Sequence, residues 1–269
     1  MQLQTTVSIP KPSFTIQPCE EMIFVGSCFA DNIGRRFVEE KFRANVNPFG
    51  VMYNPASILH TIQRIDDKPK IAVFTLGTNH VYILKETGII VDNCEKKPHN
   101  LFIEKALSID DCASFLSESI DILLSRCEEV KIILTVSPIR YAKYGFHESQ
   151  LSKSVLLLAA DTVANKYPDI VSYFPAYELM NDELRDYRFY ASDMIHPSEQ
   201  AVDYIYERFA DTYFSDNTRM FLKEWQPIKR ALAHRPFNYE SEEYKKFRSE
   251  TIIKYNELAK RYPLDSIKE

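Results

Sequence analysis

The chain has 269 residues, 45% of them apolar and 26% charged, with a formal net charge of −5. That composition excludes wholesale disorder, and the acidic balance argues against a nucleic-acid backbone binder. Apolar runs such as Val155–Ala160 are far too short to span a bilayer.

Residues 21–25 (EMIFV) form a short apolar run ending at Gly26-Ser27, the pattern of a buried strand meeting a tight turn. Ala30, Ile33 and Phe37 then recur at helical spacing. A weaker strand is expected over 42–46, closed by Asn47-Pro48-Phe49-Gly50, and Asn54-Pro55 starts a helix that runs to about Ile65. Residues 71–76 (IAVFTL) read as a second strong strand ending at Gly77-Thr78-Asn79-His80. A hairpin is expected at about 80–92. Ser108-x-x-Asp111 is a capping-box variant opening a helix whose apolar stripe is Ile109, Cys112, Leu116, Ile120, Leu123 and Cys127. Residues 130–136 (VKIILTV) are the third strong strand, followed by a helix over 152–166, a strand over 170–174 and a helix opened by Pro197. Strands separated by helices predict a mostly parallel sheet covered on both faces.

From about residue 218 the character changes. No strand candidate remains, the only tryptophan is Trp225, and from Phe221 onward eleven Lys/Arg face eight Asp/Glu. Two helices are predicted, about 217–232 and 240–261. The expected division is a sheet domain over 1–217 and a helical appendage over 218–269.

The five cysteines, at 19, 28, 94, 112 and 127, are odd in number and lack C-x-x-C spacing, which fits free thiols and argues against a zinc site. The first residues lack a basic start followed by an apolar core, so no secretory signal is expected and the predicted location is the cytoplasm.

Ligands of open α/β sheets sit beyond the carboxyl ends of the strands. The residues gathered there are Ser27, Gly50, Asn79 and the Asp193-x-x-His196 pair. A serine attacks only when a histidine takes its proton, and that histidine needs a carboxylate to fix its tautomer. Backbone N–H groups of Ser27 and Gly50 and the Asn79 amide would serve as oxyanion donors. Taken singly, a glycine-serine turn, an Asp-x-x-His pair or a turn glycine is usually structural. Their order at successive strand ends is what points to acyl transfer.

Residues 26–30 read Gly-Ser-Cys-Phe-Ala, and the segments GSCFADNIGRRF, NPFGVMYNP, TLGTNHVY, VDNCEKKP, TVSPIRY and DMIHPSEQA follow in order. Over roughly 20–215 the chain resembles the GSCFA family, a branch of the SGNH (GDSL-like) hydrolases. The resemblance implies a flavodoxin-like three-layer α/β sandwich with a five-stranded parallel sheet. It also implies Ser27 as nucleophile, His196 as general base, Asp193 as its orienting carboxylate, and Ser27, Gly50 and Asn79 as the oxyanion hole. Two departures stand out: Gly-Asp-Ser becomes Gly-Ser-Cys, and His80 stands where many relatives have Asp. Cys28 could itself attack, but a side chain following Ser27 on the turn is expected to face away from the cleft as an inert, buried cysteine. Cys94, Cys112 and Cys127 are expected in the core.

Arg140, Tyr141 and His80 are candidate substrate contacts. Arg140 would hold an acidic group of the substrate or pair with a nearby carboxylate. The expected activity is hydrolysis of a carboxylic ester, of a small molecule or an acylated glycan, without metal or organic cofactor. Acyl transfer by the same triad, or ligand binding without turnover on an inherited fold, are the alternatives.

Overall fold

The computed structural model describes residues 5–92 and 97–264; Cys94 lies outside them. Its centre is a five-stranded, all-parallel sheet of β1 (Glu21–Gly26), β2 (Arg43–Val46), β3 (Ile71–Leu76), β7 (Lys131–Val136) and β8 (Val171–Tyr173), in the order β2-β1-β3-β7-β8. β1 and β3 are buried throughout except at Glu21 and apolar except at Glu21 and Thr75, as strands covered on both faces tend to be.

Helices α2 (Pro55–Arg64), α3 (Ile109–Arg126) and α4 (Phe146–Lys166) cover one face of the sheet, burying Ile58, Ile62, Leu116, Ile120, Leu156 and Val163 against Phe74, Ile132 and Leu134. Helices α1 (Cys28–Glu39) and α6 (Glu199–Tyr213) cover the other, where Ile33, Phe37, Val202, Ile205 and Phe209 pack on Phe24 and Val73. This is the expected three-layer sandwich. Because β1 has β2 on one side and β3 on the other, the chain winds away from it in both directions, which opens a crevice at its carboxyl end.

Helix starts follow local chemistry. Ser108 Oγ accepts from Asp111 N–H (3.0 Å) while Asp111 accepts from Ser108 N–H (3.1 Å), closing the capping box. Ser27, Asn54 and Ser198 cap α1, α2 and α6. Gly26 sits so close to β3 that a Cβ would lie 2.2 Å from Thr75 O, so no other residue fits there.

The structure adds to several expectations. The hairpin of β4 (His80–Leu84) and β5 (Ile90–Val91) gains a third strand, β6 (Phe102–Ala106), giving an antiparallel sheet in the order β5-β4-β6. α4 starts six residues earlier than predicted, directly after Gly145 at φ 86°. A short turn, α5 (Ala176–Glu178), continues into a π-helical stretch over Leu179–Leu184. At the C-terminus α7 (Asp216–Leu232) packs with α8 (Glu242–Ala259) around Phe221, Trp225, Ile228, Tyr255 and Leu258. Among the described residues no helix is long and apolar enough to cross a membrane.

Candidate active site

A cavity of about 340 Å³ opens at the carboxyl end of β1 and β3. Four chain segments line it: Ser27 and Cys28 after β1, Gly77 after β3, residues 137 and 139–143 after β7, and Ile195 with His196; Tyr53 forms a side wall.

Ser27 is 2% exposed. Its N–H donates to Thr75 Oγ1 (2.9 Å) and to Thr75 O (3.1 Å); its Oγ accepts from Phe29 N–H (3.2 Å) and lies 3.1 Å from Thr75 Oγ1. Ser27 is therefore stitched into the sheet as the α1 cap, and it shares no hydrogen bond with His196. Cys28, contrary to expectation, is half-buried and lines the same cavity, with Sγ 3.9 Å from the Tyr53 hydroxyl.

His196 and Asp193 form the pair predicted from their spacing. Asp193 Oδ2 lies 2.6 Å from His196 Nδ1, which leaves Nε2 available as a base. Asp193 Oδ1 accepts from the backbone N–H of Ile195 (2.9 Å) and of His196 (3.0 Å). The backbone N–H bonds from His196 and Ile195, then the His196 ring, hold the Asp193 carboxyl down to about 2. It is ionised at any working pH and serves to orient and stabilise a protonated imidazole. Both side chains remain open to solvent, at 41% and 46% exposure.

Of the predicted oxyanion donors, Ser27 lines the cavity with His196, and Gly50 and Asn79 do not. Gly50 N–H closes its own turn onto Asn47 O (2.8 Å) and does not line the cavity. Asn79 Nδ2 donates to Leu107 O (2.7 Å), and Asn79 is buried outside the cavity lining. His80 stacks on Tyr144 with ring centroids 4.3 Å apart, and burial pulls it below its ordinary value; it too lies off the cavity wall.

Arg140 and Tyr141 do line the cavity. Arg140 pairs with no carboxylate among the described residues. Its guanidinium lies 3.9 Å from the Phe146 ring centroid and donates to Met194 O (3.1 Å), while its backbone N–H donates to Ile195 O (3.1 Å). It thus ties the β7 loop to the turn carrying His196. Burial raises the Tyr141 hydroxyl above its ordinary value and pushes Tyr53 up to about 12, aided in Tyr53 by Cys28. Both phenols stay protonated at neutral pH and can donate.

Lys153, a residue the sequence did not single out, lies fully buried beneath this wall. Its amine donates to Gly77 O (2.7 Å) and Ser137 O (2.8 Å), joining the ends of β3 and β7. Burial pulls it down to about 7. A neutral amine has two hydrogens for those two carbonyls. Gly77 is required at this junction because a Cβ would stand 2.9 Å from Tyr53 O. Among the described residues no cluster of His, Cys, Asp and Glu could hold a metal ion.

A five-stranded parallel sheet in this order, covered by helices on both faces, defines the class as an SGNH-like α/β fold. The chain belongs to the GSCFA family, whose model matches residues 21–72 and 67–209; the model of the GSCFA domain protein, C-terminal domain, matches 225–266. No curated protein matches it. Among solved structures it is similar to a catalytic mutant of Axe2, an acetylxylan esterase from Geobacillus stearothermophilus (13% identity, 75% of this chain and 98% of that chain, TM-score 0.51). It is also similar to LAE5, an alpha/beta hydrolase from the metagenome of Lake Arreo (12%, 73% and 96%, 0.48), and to a carbohydrate esterase family 3 protein from Talaromyces cellulolyticus (10%, 76% and 99%, 0.44). At these identities the likeness is one of fold.

Proposed function

We propose that the chain hydrolyses carboxylic esters through an acyl-enzyme, with acylated carbohydrates as the substrate class. The observation that carries this reading is His196, bonded through Nδ1 to Asp193, lining the same cavity as the β1–α1 turn. A nucleophile on that turn, which presents Ser27 and Cys28 to the cavity, attacks the ester carbonyl. His196 Nε2 takes its proton and returns it to the departing alcohol, while Asp193 stabilises the imidazolium. Water then repeats the sequence on the acyl-enzyme. At the start of α1 the Cys28 N–H has no acceptor among the described residues, and this end of a helix favours an anion such as the developing oxyanion.

The carbohydrate assignment draws support from the acetylxylan esterase among the fold neighbours and from Tyr53 and Tyr141, whose rings suit a sugar face. The small apolar surfaces of Ile139, Ala142 and Ile195 suit a short acyl group. The test is turnover of p-nitrophenyl acetate, p-nitrophenyl butyrate and acetylated xylo-oligosaccharide by wild type and His196→Ala. Turnover by wild type that falls about 10²–10⁴-fold in the variant is expected. Absence of wild-type turnover on every ester would overturn the reading.

A further inference from the structure

Two adjacent side chains on the β1–α1 turn reach the cavity, and their surroundings differ in kind. We infer that Cys28, and not Ser27, is the nucleophile, so that the acyl group is carried as a thioester; this rests on the hydrolase reading above and deepens it.

The Ser27 hydroxyl already has work. Its Oγ accepts from Phe29 N–H and pairs with Thr75 Oγ1, in a residue 2% exposed. To attack, it would have to abandon the cap of α1 and its pairing with Thr75 and turn its proton toward His196. Cys28 Sγ bears no such duty. It is half-buried, lines the cavity, and its thiol pairs with the Tyr53 hydroxyl at 3.9 Å. A thiol also gives up its proton far more readily than an alcohol and needs no preformed short bond to the base.

The oxyanion donors separate the two residues again. The Ser27 N–H is spent on Thr75, the Gly50 N–H on Asn47 and Asn79 Nδ2 on Leu107. The Cys28 N–H, at the first helical position of α1, has no acceptor among the described residues. A tetrahedral intermediate bonded to Cys28 places its oxygen near that free donor at the helix start, with the protonated Tyr53 as a second candidate donor. The other described cysteines cannot compete for the role: Cys19 and Cys112 are buried, which pushes their thiols up to about 11 and about 12, and Cys127 does not line the cavity.

The step balances without a further reagent. Cys28 sulfur forms a bond to the ester carbonyl carbon as its proton passes to His196 Nε2. Collapse breaks the carbon–oxygen bond to the alcohol, which leaves with the proton from His196. Water then adds to the thioester carbonyl, giving its proton to His196, and collapse releases the carboxylic acid and Cys28 sulfur, which regains that proton.

The test uses the full chain with p-nitrophenyl acetate, comparing wild type, Cys28→Ala, Cys28→Ser, Ser27→Ala and His196→Ala. Thermal melts of each variant separate lost folding from lost chemistry. The expected result is an acetyl adduct on the Cys28 peptide, removed by neutral hydroxylamine as thioesters are. Activity should fall at least about 10³-fold in Cys28→Ala and should largely persist in Ser27→Ala, whose melt shifts downward. Iodoacetamide should block wild type, with substrate protecting. An adduct on the Ser27 peptide, resistant to hydroxylamine and accompanied by full activity in Cys28→Ala, would overturn Cys28 while leaving the hydrolase reading intact. No adduct and no turnover in wild type would overturn both.

Discussion

The two sides of the cavity are built in opposite ways. The β1–α1 turn is buried and bonded into the sheet through Thr75, whereas Asp193 and His196 stand on an exposed turn, almost half open to water. That turn is held by short-range bonds, with Ala191 N–H donating to His196 O (2.7 Å) and Ser198 N–H to Phe189 O (2.8 Å), and by Arg140 reaching across from the β7 loop. The attacking side is fixed by the core, and the proton-transfer side is fixed by a few local contacts. The difference teaches that rate and stability respond to different residues here: changes on the exposed turn should cost turnover, and changes beneath the buried wall should cost folding.

The sharpest break is Asp193→Asn. It keeps the shape but removes the charge that stabilises the imidazolium and fixes its tautomer, so turnover should fall about 10³–10⁴-fold. The melt should hardly move, because the residue is exposed; a large loss of stability instead would mean the turn is structural. Next is Lys153→Met, on the buried side. It strips the donor from Gly77 O and Ser137 O, and urea unfolding should show a loss of about 1–3 kcal/mol. Arg140→Ala should lower kcat/KM about 10-fold by loosening the Met194 tie, with stability within about 0.5 kcal/mol of wild type. If KM alone rises, and only for acidic substrates, Arg140 contacts the substrate rather than the turn.

A pH slope sharpens the same buried side. With the Lys153 amine held at about 7 when folded and near its ordinary value when unfolded, the unfolded chain binds the extra proton between those values. Stability should therefore rise with pH from about 7 to about 10, and the contribution should vanish in Lys153→Met. Urea unfolding at several pH values reads this directly.

The sheet was largely legible because β1, β3 and β7 are predominantly apolar runs, each stopped by glycine or Ser-Pro. β6 escaped notice because only Phe102 is buried, so Ile103, Glu104 and Lys105 read as surface loop. The early start of α4 was hidden by a polar first turn without a side-chain cap. At the site, the Asp193–His196 pair could be read from spacing because its geometry is local. Gly50 and Asn79 could only be placed by their order along the chain, and order does not say where an N–H points. Cys28 turns on a finer matter: with Ser27 as the cap, the first helical side chain faces the cavity, a detail of backbone angles that no composition reveals. Lys153 looked like any helical lysine, since nothing in the neighbouring residues announces that the ends of two strands meet above it.

The far end of α1 has its own attachments. Trp225 Nε1 donates to Glu39 O (3.3 Å), Gln226 to Glu40 (2.8 Å), and Lys229 bridges Glu39 and Glu40. A helix of twelve residues is a rod of about 18 Å, stiff along its axis. The C-terminal pair thus seats one tip of the rod while the cavity occupies the other. The turn beside the cavity is pinned by Thr75 and the far tip by the C-terminal pair, so α1 is a beam held at both ends, and loosening either mount leaves it hanging from the other.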